Sequence, residues 1–252
     1  METANRLIRG LDRLLNLVMI LALSVILFYA GYALWDSYMV LNKANVSSEV
    51  MHFKPDKSDA FNPSLTELQN INTDVCAWVT VDDTNIDYPV LQGDNNSKYL
   101  NIDIYGDYSL GGSVFLDYRN NKDFSDQYSL IYGHHMAGGM MFGDLEKFTE
   151  QSYFDEHQTG WLYLPGEIFK LEIIAFLKVD AYTSLLFNLP LESGGWGALA
   201  AHIQQDATYL RGAELTEEDR IVALSTCAEG TTNGRSIIVA KMIETEPAGG
   251  EP

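Results

Sequence analysis

Basic residues are scarce in this 252-residue sequence. It contains 16 Lys and Arg residues against 35 Asp and Glu residues, which gives a formal net charge of -19. Binding to nucleic acid needs clustered basic side chains to contact phosphates. The charge balance therefore argues against nucleic acid as a partner and leaves other functions open. The length suits one medium-sized domain plus an appendage.

Metal-binding patterns are also missing. The two cysteines, Cys76 and Cys227, form no C-x-x-C pair, and His134, His135 and His157 lack the H-E-x-x-H spacing of a zinc helix. Residues 94–110 are rich in Asn, Asp and Tyr but contain no D-x-[DN]-x-[DN]-G calcium loop. We therefore predict no metal site and interpret this acidic stretch as a solvated loop.

Only one long apolar run is present. Residues 14–35, LLNLVMILALSVILFYAGYALW, contain no charge and are long enough to cross a hydrocarbon core of about 30 Å as a helix. Arg6, Arg9 and Arg13 precede the run, and the next basic residue is Lys43, so the N-terminus is predicted to be cytoplasmic. A cleaved signal peptide is the alternative, but the run exceeds the usual h-region and no A-x-A site follows it closely. We predict a single-pass protein of the cell membrane with an extracellular C-terminal domain.

Composition divides the chain into five segments. We predict a cytoplasmic N-terminus at residues 1–13, a transmembrane anchor at 14–35, a polar stalk at 36–60, a folded domain at 61–245 and a flexible tail at 246–252. A short helix is expected to open the domain, capped by Asn62 with Pro63 at its first position, or by Ser64 with Glu67.

Short strands dominate the predicted domain. Alternating or β-branched runs predict strands at residues 75–81, 85–91, 111–118 and 128–132, and a hairpin over residues 161–179. One longer helix is expected, with Trp196, Leu199, Ala200, Ile203, Ala207 and Leu210 on one face and Gly212 as its end. The fold class is thus mainly β, a small barrel or sandwich.

Residues 221–241, IVALSTCAEGTTNGRSIIVAK, predict an antiparallel hairpin. Cys227 ends its first strand and Arg235 begins its second, so the two lie within one or two strand spacings of roughly 5 Å. A neighbouring cation favours the nucleophilic thiolate, and an arginine fork suits a developing oxyanion. The alternative is a buried structural cysteine near a surface arginine. Cys76 has no such neighbours and is interpreted as structural, and a Cys76–Cys227 disulfide would consume the nucleophile.

A second stretch supplies a partner for the cysteine. In residues 127–141, QYSLIYGHHMAGGMM, a strand ends at Gly133, and His134 and His135 follow before a glycine-rich loop. A single reactive cysteine with a distant histidine is typical of a cysteine nucleophile and its acid/base partner. A histidine at a strand end is also compatible with a purely structural role.

These motifs, YGHHM, LSTC and GRSIIVAK, occur in the order seen in the sortase family, and the chain most resembles the class B sortases. The resemblance extends through CAWVTVDDTNIDYPVLQGDNNSKYL and GGSVFLDYRN, from about residue 62 to residue 243. It implies an eight-stranded β-barrel with helical decorations. It also implies that Cys227, His134 and Arg235 are catalytic, with His134 chosen over His135 because the family histidine directly follows the glycine.

Further site residues are expected around these three. Ser225 and Thr226 directly precede the cysteine and are expected to line the site, and Glu229 just after it is a candidate groove residue. By the resemblance, Asn96 and Leu100 fall where class B sortases line their substrate groove.

The implied reaction is transpeptidation without a cofactor. Cys227 would attack a peptide carbonyl, Arg235 would stabilise the oxygen, and His134 would protonate the departing amine. The resemblance implies secreted proteins with a C-terminal sorting signal as substrates, cleavage after threonine, and transfer to a peptidoglycan cross-bridge amine or, in some class B members, a pilin lysine. The alternatives are a cysteine protease that uses water as the acceptor, and a non-enzymatic cell-surface binding module with Cys227 buried.

Overall fold

A computed structural model describes residues 2–44, 48–57, 62–189, 191, 194–212, 214–227 and 233–245. The chain divides into two compact units, residues 1–42 and residues 43–252.

The first unit is one helix, α1, which begins at Glu2 and continues to Ala44 in the second unit. Its segment Asn5–Met39 has a mean hydropathy of 2.4 over its most apolar window, and its side chains are exposed. An apolar surface of this length is costly in water, which makes the helix a candidate membrane span. The predicted span at residues 14–35 lies inside it.

The second unit is built on a β-sheet closed into a barrel. Its strands are β1 Val75–Val81, β2 Asp87–Leu91, β3 Val114–Leu116, β4 Tyr128–Tyr132, β5 Thr159–Tyr163, β6 Ile168–Asp180, β7 Tyr209–Leu210, β8 Ile221–Cys227 and β9 Gly234–Glu244. The order is β5-β1-β2-β3-β4-β8-β9-β6-β7, and β6 also pairs with β5. Among the described residues, eight strands thus close a ring, with β7 attached outside it. The predicted eight-stranded barrel is confirmed.

Strand alternation explains where the core lies. One buried cluster receives side chains from all eight ring strands, including Val79, Ile131, Phe176, Leu224 and Ile238, and so fills the barrel interior. The residues between these positions face outward and need separate covers. The barrel is therefore a packed core, and ligand sites have to lie on its outer surface or at its ends.

Helices and short segments cover the outward apolar faces. They are α2 Ser48–Met51, α3 Pro63–Ile71, α4 Gln151–Glu156 and α5 Gly195–Asp206, with 3-10 turns at Lys98–Leu100, Ala137–Gly139, Gly143–Thr149 and Leu185–Phe187. Helix α5 buries Trp196, Leu199 and Ile203 against β4, β6, β8 and β9. Helix α3 buries Leu65 and Leu68 against β1, β2 and β3 in a separate cluster that also contains Val50.

Two predicted helix ends differ from the structure. Helix α5 ends at Asp206, so Ala207 and Leu210 are not on it, because Tyr209 and Leu210 instead pair with β6 as β7. Pro63 does begin α3, but Asn62 adopts a left-handed φ of 41° and makes no side-chain cap. The amide of Asn62 is buried and donates to the carbonyl of Leu164, 2.8 Å away, which ties α3 to the barrel.

Cys76 is free and buried in β1, with Sγ 3.3 Å from the carbonyl oxygen of Val90. Burial raises the pKa of this thiol to about 12, which keeps it protonated and unreactive. A free, buried thiol of this kind supports the interpretation of Cys76 as structural.

Candidate functional site

The strand register brings the three predicted catalytic residues to one end of the barrel. Strands β4 and β8 run parallel with Tyr132 opposite Ser225, so both approach the same end, and the N–H of Gly133 donates to the carbonyl of Ser225 at 3.1 Å. His134 follows directly. Strand β9 returns antiparallel to β8, with Arg235 directly opposite Cys227. The predicted pairing of these two residues across the hairpin is therefore present in the backbone.

A cleft of about 300 Å³ opens at this end of the barrel. Six predicted site residues line it: Asn96, Leu100, His134, Ser225, Thr226 and Arg235. Five further residues of the described chain line it: Phe115, Tyr132, Gly133, Ala181 and Phe187. Of Cys227 the structure describes the backbone, and Glu229 lies outside the described residues.

His134 is oriented by a backbone carbonyl. Its Nε2 lies 2.8 Å from the oxygen of Leu100, and a carbonyl can only accept, so Nε2 carries the proton in this contact. The other ring nitrogen, Nδ1, is then the one that can exchange a proton with a bound molecule. A loop carbonyl leaves no mark on the residue pattern, which is why the sequence did not indicate this partner.

The loop after His134 is fixed on both sides. Its start is held by the N–H of Phe142, which donates to the carbonyl of His134 at 2.9 Å, and by close packing of Gly133 on the Phe142 ring. The N–H of Met141 donates to the hydroxyl of Tyr88 at 2.8 Å. His135 forms an isolated bridge with Met141 and does not line the cleft. His134 thus lines the cleft, and its choice over His135 as the catalytic histidine stays a prediction.

The cleft contains groups that can bind an oxyanion and transfer a proton. The half-buried Arg235 donates from Nη1 to the carbonyl of Gly234 at 2.9 Å. The other donors of its fork have no partner within the described part of the chain and can contact a ligand. His134 can act as an acid or a base. Among the described residues, no group of three His, Cys, Asp or Glu side chains is placed to hold a metal ion.

Two hydroxyl groups at the floor of the cleft have no hydrogen-bond partner among the described residues. They are Oγ of Ser225 and Oγ1 of Thr226, and both side chains are at most 2% exposed. A buried polar group without a partner costs about 1–3 kcal/mol. Their position beside Cys227 therefore suits groups whose partner arrives with a ligand.

Aromatic rings that the sequence did not single out form one wall of the cleft. The centroid of Tyr132 lies 5.3 Å from that of Phe115 and 6.4 Å from that of Phe187, with the second pair stacked. Phe115 and Tyr132 come from β3 and β4, and Phe187 comes from the turn after β6. Tyr132 stands in the YGHHM motif and Phe115 in GGSVFLDYRN, but an aromatic residue in a strand is usually a core residue, and Phe187 stands in no motif.

A buried ion pair lies behind this wall. Asp117 is 0% exposed and accepts from Arg119 Nε at 2.8 Å and Nη2 at 2.7 Å, from Asn96 Nδ2 at 2.8 Å, and from the Tyr132 hydroxyl at 3.0 Å. Burial alone would raise the pKa of Asp117, but the hydrogen bonds from Arg119 and Asn96 outweigh it and the pKa is lowered. Asp117 therefore holds two cleft residues in place as a carboxylate.

Comparison with known proteins places this chain among the sortases. The Sortase domain family matches residues 79–243. Sortase B of Listeria monocytogenes is 33% identical over 184 residues, which cover 71% of this chain and 74% of that protein.

Two solved structures are also similar. A class B sortase of Streptococcus pyogenes involved in pilus biogenesis is 44% identical, with a TM-score of 0.62 over 70% of this chain and 96% of that one. The sortase B–substrate complex of Staphylococcus aureus is 27% identical, with a TM-score of 0.66 over 73% of this chain and 86% of that one. Because the Sortase domain match spans more than half of the sequence and these relatives are class B sortases, the chain belongs to the sortase family of cysteine transpeptidases, in class B.

Proposed function

We propose that this protein cleaves the C-terminal sorting signal of secreted proteins after threonine and transfers the product to an amine. The observation that carries the proposal is the strand register, which sets Cys227 opposite Arg235 and brings His134 to the same cleft. Sortase family membership supplies the reaction class.

Three residues take the catalytic roles. The thiolate of Cys227 attacks the scissile carbonyl, and the Arg235 fork binds the oxygen as negative charge develops there. When the carbon–nitrogen bond breaks, the imidazolium form of His134, which carries a proton on each ring nitrogen, gives the proton on Nδ1 to the departing amine, and a thioester remains on Cys227. Attack by a second amine on this thioester forms the new amide and releases the thiol. Water as the acceptor would make the same site a protease.

The cleft residues bind the peptide. Asn96, Leu100, Ser225 and Thr226 line the cleft, and the two unpartnered hydroxyl groups match the polar backbone of an extended peptide. Glu229 is proposed as a further groove residue. The aromatic wall of Phe115, Tyr132 and Phe187 provides apolar contact for peptide side chains.

We propose two candidate acceptor amines. A peptidoglycan cross-bridge amine is the first, as for wall-anchoring sortases. A pilin lysine is the second, and the 44% identity to the Streptococcus pyogenes sortase involved in pilus biogenesis favours it. Both acceptors are primary amines, so the same cleft chemistry serves either.

We propose that the enzyme is anchored in the cell membrane by helix α1 with its N-terminus inside. The apolar segment Asn5–Met39 supports a membrane span, and Arg6, Arg9 and Arg13 near its start support the orientation. The proposed segments are the cytoplasmic N-terminus at residues 1–13, the transmembrane anchor at 14–35, the stalk at 36–60, the catalytic domain at 61–245 and the tail at 246–252. Protease added to intact cells should then digest the barrel and spare the first residues.

The test uses the full chain in detergent micelles with fluorogenic sorting-signal peptides of several motifs. We expect cleavage without added amine to be slow, and ligated product to form with triglycine or with Nα-acetyl-lysine. Cys227→Ala should abolish both reactions, whereas Cys76→Ala should keep them, since Cys76 is buried away from the cleft.

Other outcomes separate the alternatives. Hydrolysis with no ligated product at any amine concentration would support a protease instead. A folded protein whose Cys227 resists alkylation and which cleaves no peptide would support a binding module. Preference for one amine over the other would distinguish the wall acceptor from the pilin acceptor.

A further inference from the structure

The turn Lys98–Leu100 supplies the carbonyl that orients His134. Its last residue, Leu100, places its oxygen 2.8 Å from Nε2 of the histidine. No other hydrogen bond to the His134 ring is present among the described residues. The direction of Nδ1, and hence the path of the catalytic proton, depends on where this carbonyl points.

The side chain of Tyr99 anchors the turn from within. It is 2% exposed, and its hydroxyl donates to Oδ2 of Asp74 at 2.7 Å while accepting from Nδ2 of Asn72 at 3.3 Å. Lys98 adds an ion pair to the same Asp74 oxygen at 2.6 Å. Burial, followed by the bond to Asp74, raises the pKa of Tyr99 to about 12, so the hydroxyl stays a donor.

Gly112 holds the carbonyl from the other side. A Cβ at this position would lie 2.3 Å from the oxygen of Tyr99, 2.5 Å from the oxygen of Leu100 and 2.7 Å from its carbonyl carbon. These are backbone atoms, and real Cβ atoms do not approach so closely. The N–H of the next residue, Ser113, donates to the Tyr99 carbonyl at 3.0 Å. Any side chain at position 112 therefore has to displace the carbonyl that His134 contacts.

We propose that Asp74, Tyr99 and Gly112 are positioning residues for the catalytic histidine, acting through the Leu100 carbonyl. The inference rests on the proposed role of His134 as the acid that protonates the leaving amine. None of the three residues lines the cleft. Their effect on catalysis is to keep the ring from rotating, so that Nδ1 meets the leaving group.

This role has a chemical signature. When an amide is cleaved, the carbon–sulfur bond forms, the carbon–nitrogen bond breaks, and the amine nitrogen takes a proton from His134. When the same peptide carries a p-nitrophenyl ester, the phenolate leaves as an anion and needs no proton. A misoriented histidine therefore slows amide cleavage much more than ester cleavage, whereas a misshapen cleft slows both equally.

The first experiment compares Gly112→Ala with Gly106→Ala in the full chain. Both glycines have positive φ, 55° and 86°, but a Cβ at Gly106 meets nothing within 4 Å. The control thus carries the backbone strain without the contact. We expect Gly112→Ala to slow amide cleavage at least tenfold and ester cleavage less than threefold, like His134→Ala, with Gly106→Ala within twofold of wild type on both.

The second experiment removes one hydroxyl. Tyr99→Phe should show the same selective loss, threefold or more on the amide, whereas Tyr209→Phe should show none. Tyr209 also donates one hydrogen bond, to the carbonyl of Thr149 at 2.9 Å, and does not line the cleft. Solvent exchange of the His134 Nε2 proton, followed by NMR, reports the hydrogen bond to the Leu100 carbonyl. This exchange should be faster in Gly112→Ala and Tyr99→Phe than in the controls Gly106→Ala and Tyr209→Phe.

The outcomes separate this inference from the proposed function. Equal losses on amide and ester, or no loss in Gly112→Ala beyond that in Gly106→Ala, would overturn the positioning role. If wild type cleaves neither substrate, the proposed function fails, and Nε2 exchange alone then decides whether Gly112 and Tyr99 hold the ring.

Discussion

At the scale of single residues, the floor of the cleft contains buried hydroxyl groups that have no hydrogen-bond partner among the described residues. The Oγ of Ser225 is buried and has no partner among the described residues, at a position next to the proposed nucleophile. Within the described part of the chain this hydrogen bond is unmade, and we expect a bound peptide to supply it. A hydroxyl that is unpaired before binding gains more free energy from a ligand hydrogen bond than a hydroxyl that already has a partner.

Ser225→Ala should therefore leave the free energy of unfolding unchanged or raise it by about 1 kcal/mol, because it removes an unpaired hydroxyl. The value of kcat/KM for peptide cleavage should fall about tenfold, equivalent to about 1.4 kcal/mol of transition-state stabilisation. Urea unfolding and steady-state kinetics check the two parts.

Ser129→Ala is the matched control for Ser225→Ala. Ser129 is in β4, is 0% exposed, and its hydroxyl also has no partner among the described residues, but it does not line the cleft. Ser129→Ala should change the free energy of unfolding by the same amount as Ser225→Ala and keep full peptide-cleavage activity. Equal activity in the two variants would contradict the assignment of Ser225 to peptide binding.

Asp117 makes stability depend on pH in a defined direction. Its pKa in the folded protein is lowered below the unfolded value of about 3.9, despite burial, by its bonds to Arg119 and Asn96. The stabilisation is therefore present above about pH 4 and is lost as the pH falls through the folded pKa. Asp117→Asn should lower the free energy of unfolding by about 3 kcal/mol at pH 7, and by much less near pH 3.

Urea unfolding of wild type and Asp117→Asn at several pH values measures this difference. Asp107→Asn, on an exposed carboxylate, should change stability by less than about 0.5 kcal/mol at any pH. A gap between wild type and Asp117→Asn that stays constant from pH 7 to pH 3 would show that the pair does not titrate as described.

At the scale of elements, one segment joins the cleft to the ion pair. Arg119 donates from Nη1 to the carbonyl of Leu189 at 3.0 Å and from Nη2 to that of Phe187 at 3.3 Å. Tyr128 adds a bond from its hydroxyl to the carbonyl of Leu186 at 2.9 Å. The turn Leu185–Phe187 is thus pinned through its backbone, which keeps Phe187 stacked on Tyr132.

Arg119→Lys should loosen this segment while keeping the positive charge. Lysine lacks the planar fork that contacts two carbonyls and a carboxylate together. We expect faster hydrogen exchange of the amides in residues 185–189 and a KM for peptide raised about fivefold, about 1 kcal/mol, with kcat unchanged. Mass spectrometry of exchanged peptides and steady-state kinetics measure both.

Arg211→Lys provides the control for Arg119→Lys. Arg211 also donates to two carbonyls, those of Ile173 and Phe154, and does not line the cleft. Arg211→Lys should change the hydrogen exchange of amides near β6 and leave the KM for peptide unaltered. If Arg119→Lys leaves exchange at residues 185–189 as in wild type, the segment is held by Tyr128 and its own turn alone.

The elements that the sequence predicted well are those with a clear local period. Strand β4 was predicted at its observed limits, Tyr128–Tyr132, because an apolar run ends at a glycine. Helix α5 was predicted too long, because Ala207 and Leu210 keep the helical spacing while β6 offers Tyr209 and Leu210 backbone pairing. Tertiary pairing overrode local pattern there.

The position of the candidate site was predictable where it depends on motif side chains and not where it depends on the backbone. Cys227, His134 and Arg235 stand in recognisable motifs, so their convergence at one barrel end was foreseeable. The Leu100 carbonyl and the close approach of Gly112 depend on how residues 98–112 fold back on themselves. No residue type or spacing specifies such an approach in advance.

At the scale of the whole molecule, the closed ring explains how a small domain can support an exposed cleft. Closure leaves no free edge in the ring and fills its interior with one apolar cluster. The site lies at the end where the parallel pair β4 and β8 meets the start of β9. Variation in the cleft therefore leaves the interior packing of the barrel unchanged.

The segment before the barrel also contributes to its stability. Val50, in helix α2, is 2% exposed and packs in the cluster of Leu65, Leu68 and Trp78, and Lys54 pairs with Asp87 of β2. Burying a valine is worth about 1.5–3 kcal/mol, whereas an exposed ion pair adds at most about 1 kcal/mol. A domain that begins at Ser48 should therefore be about 2 kcal/mol more stable than one that begins at Asn62. Urea unfolding of the two fragments measures the difference in stability. Val50→Ala in the longer fragment should remove most of this difference. Equal stability of the two fragments would mean that residues 48–57 do not stabilise the barrel through Val50.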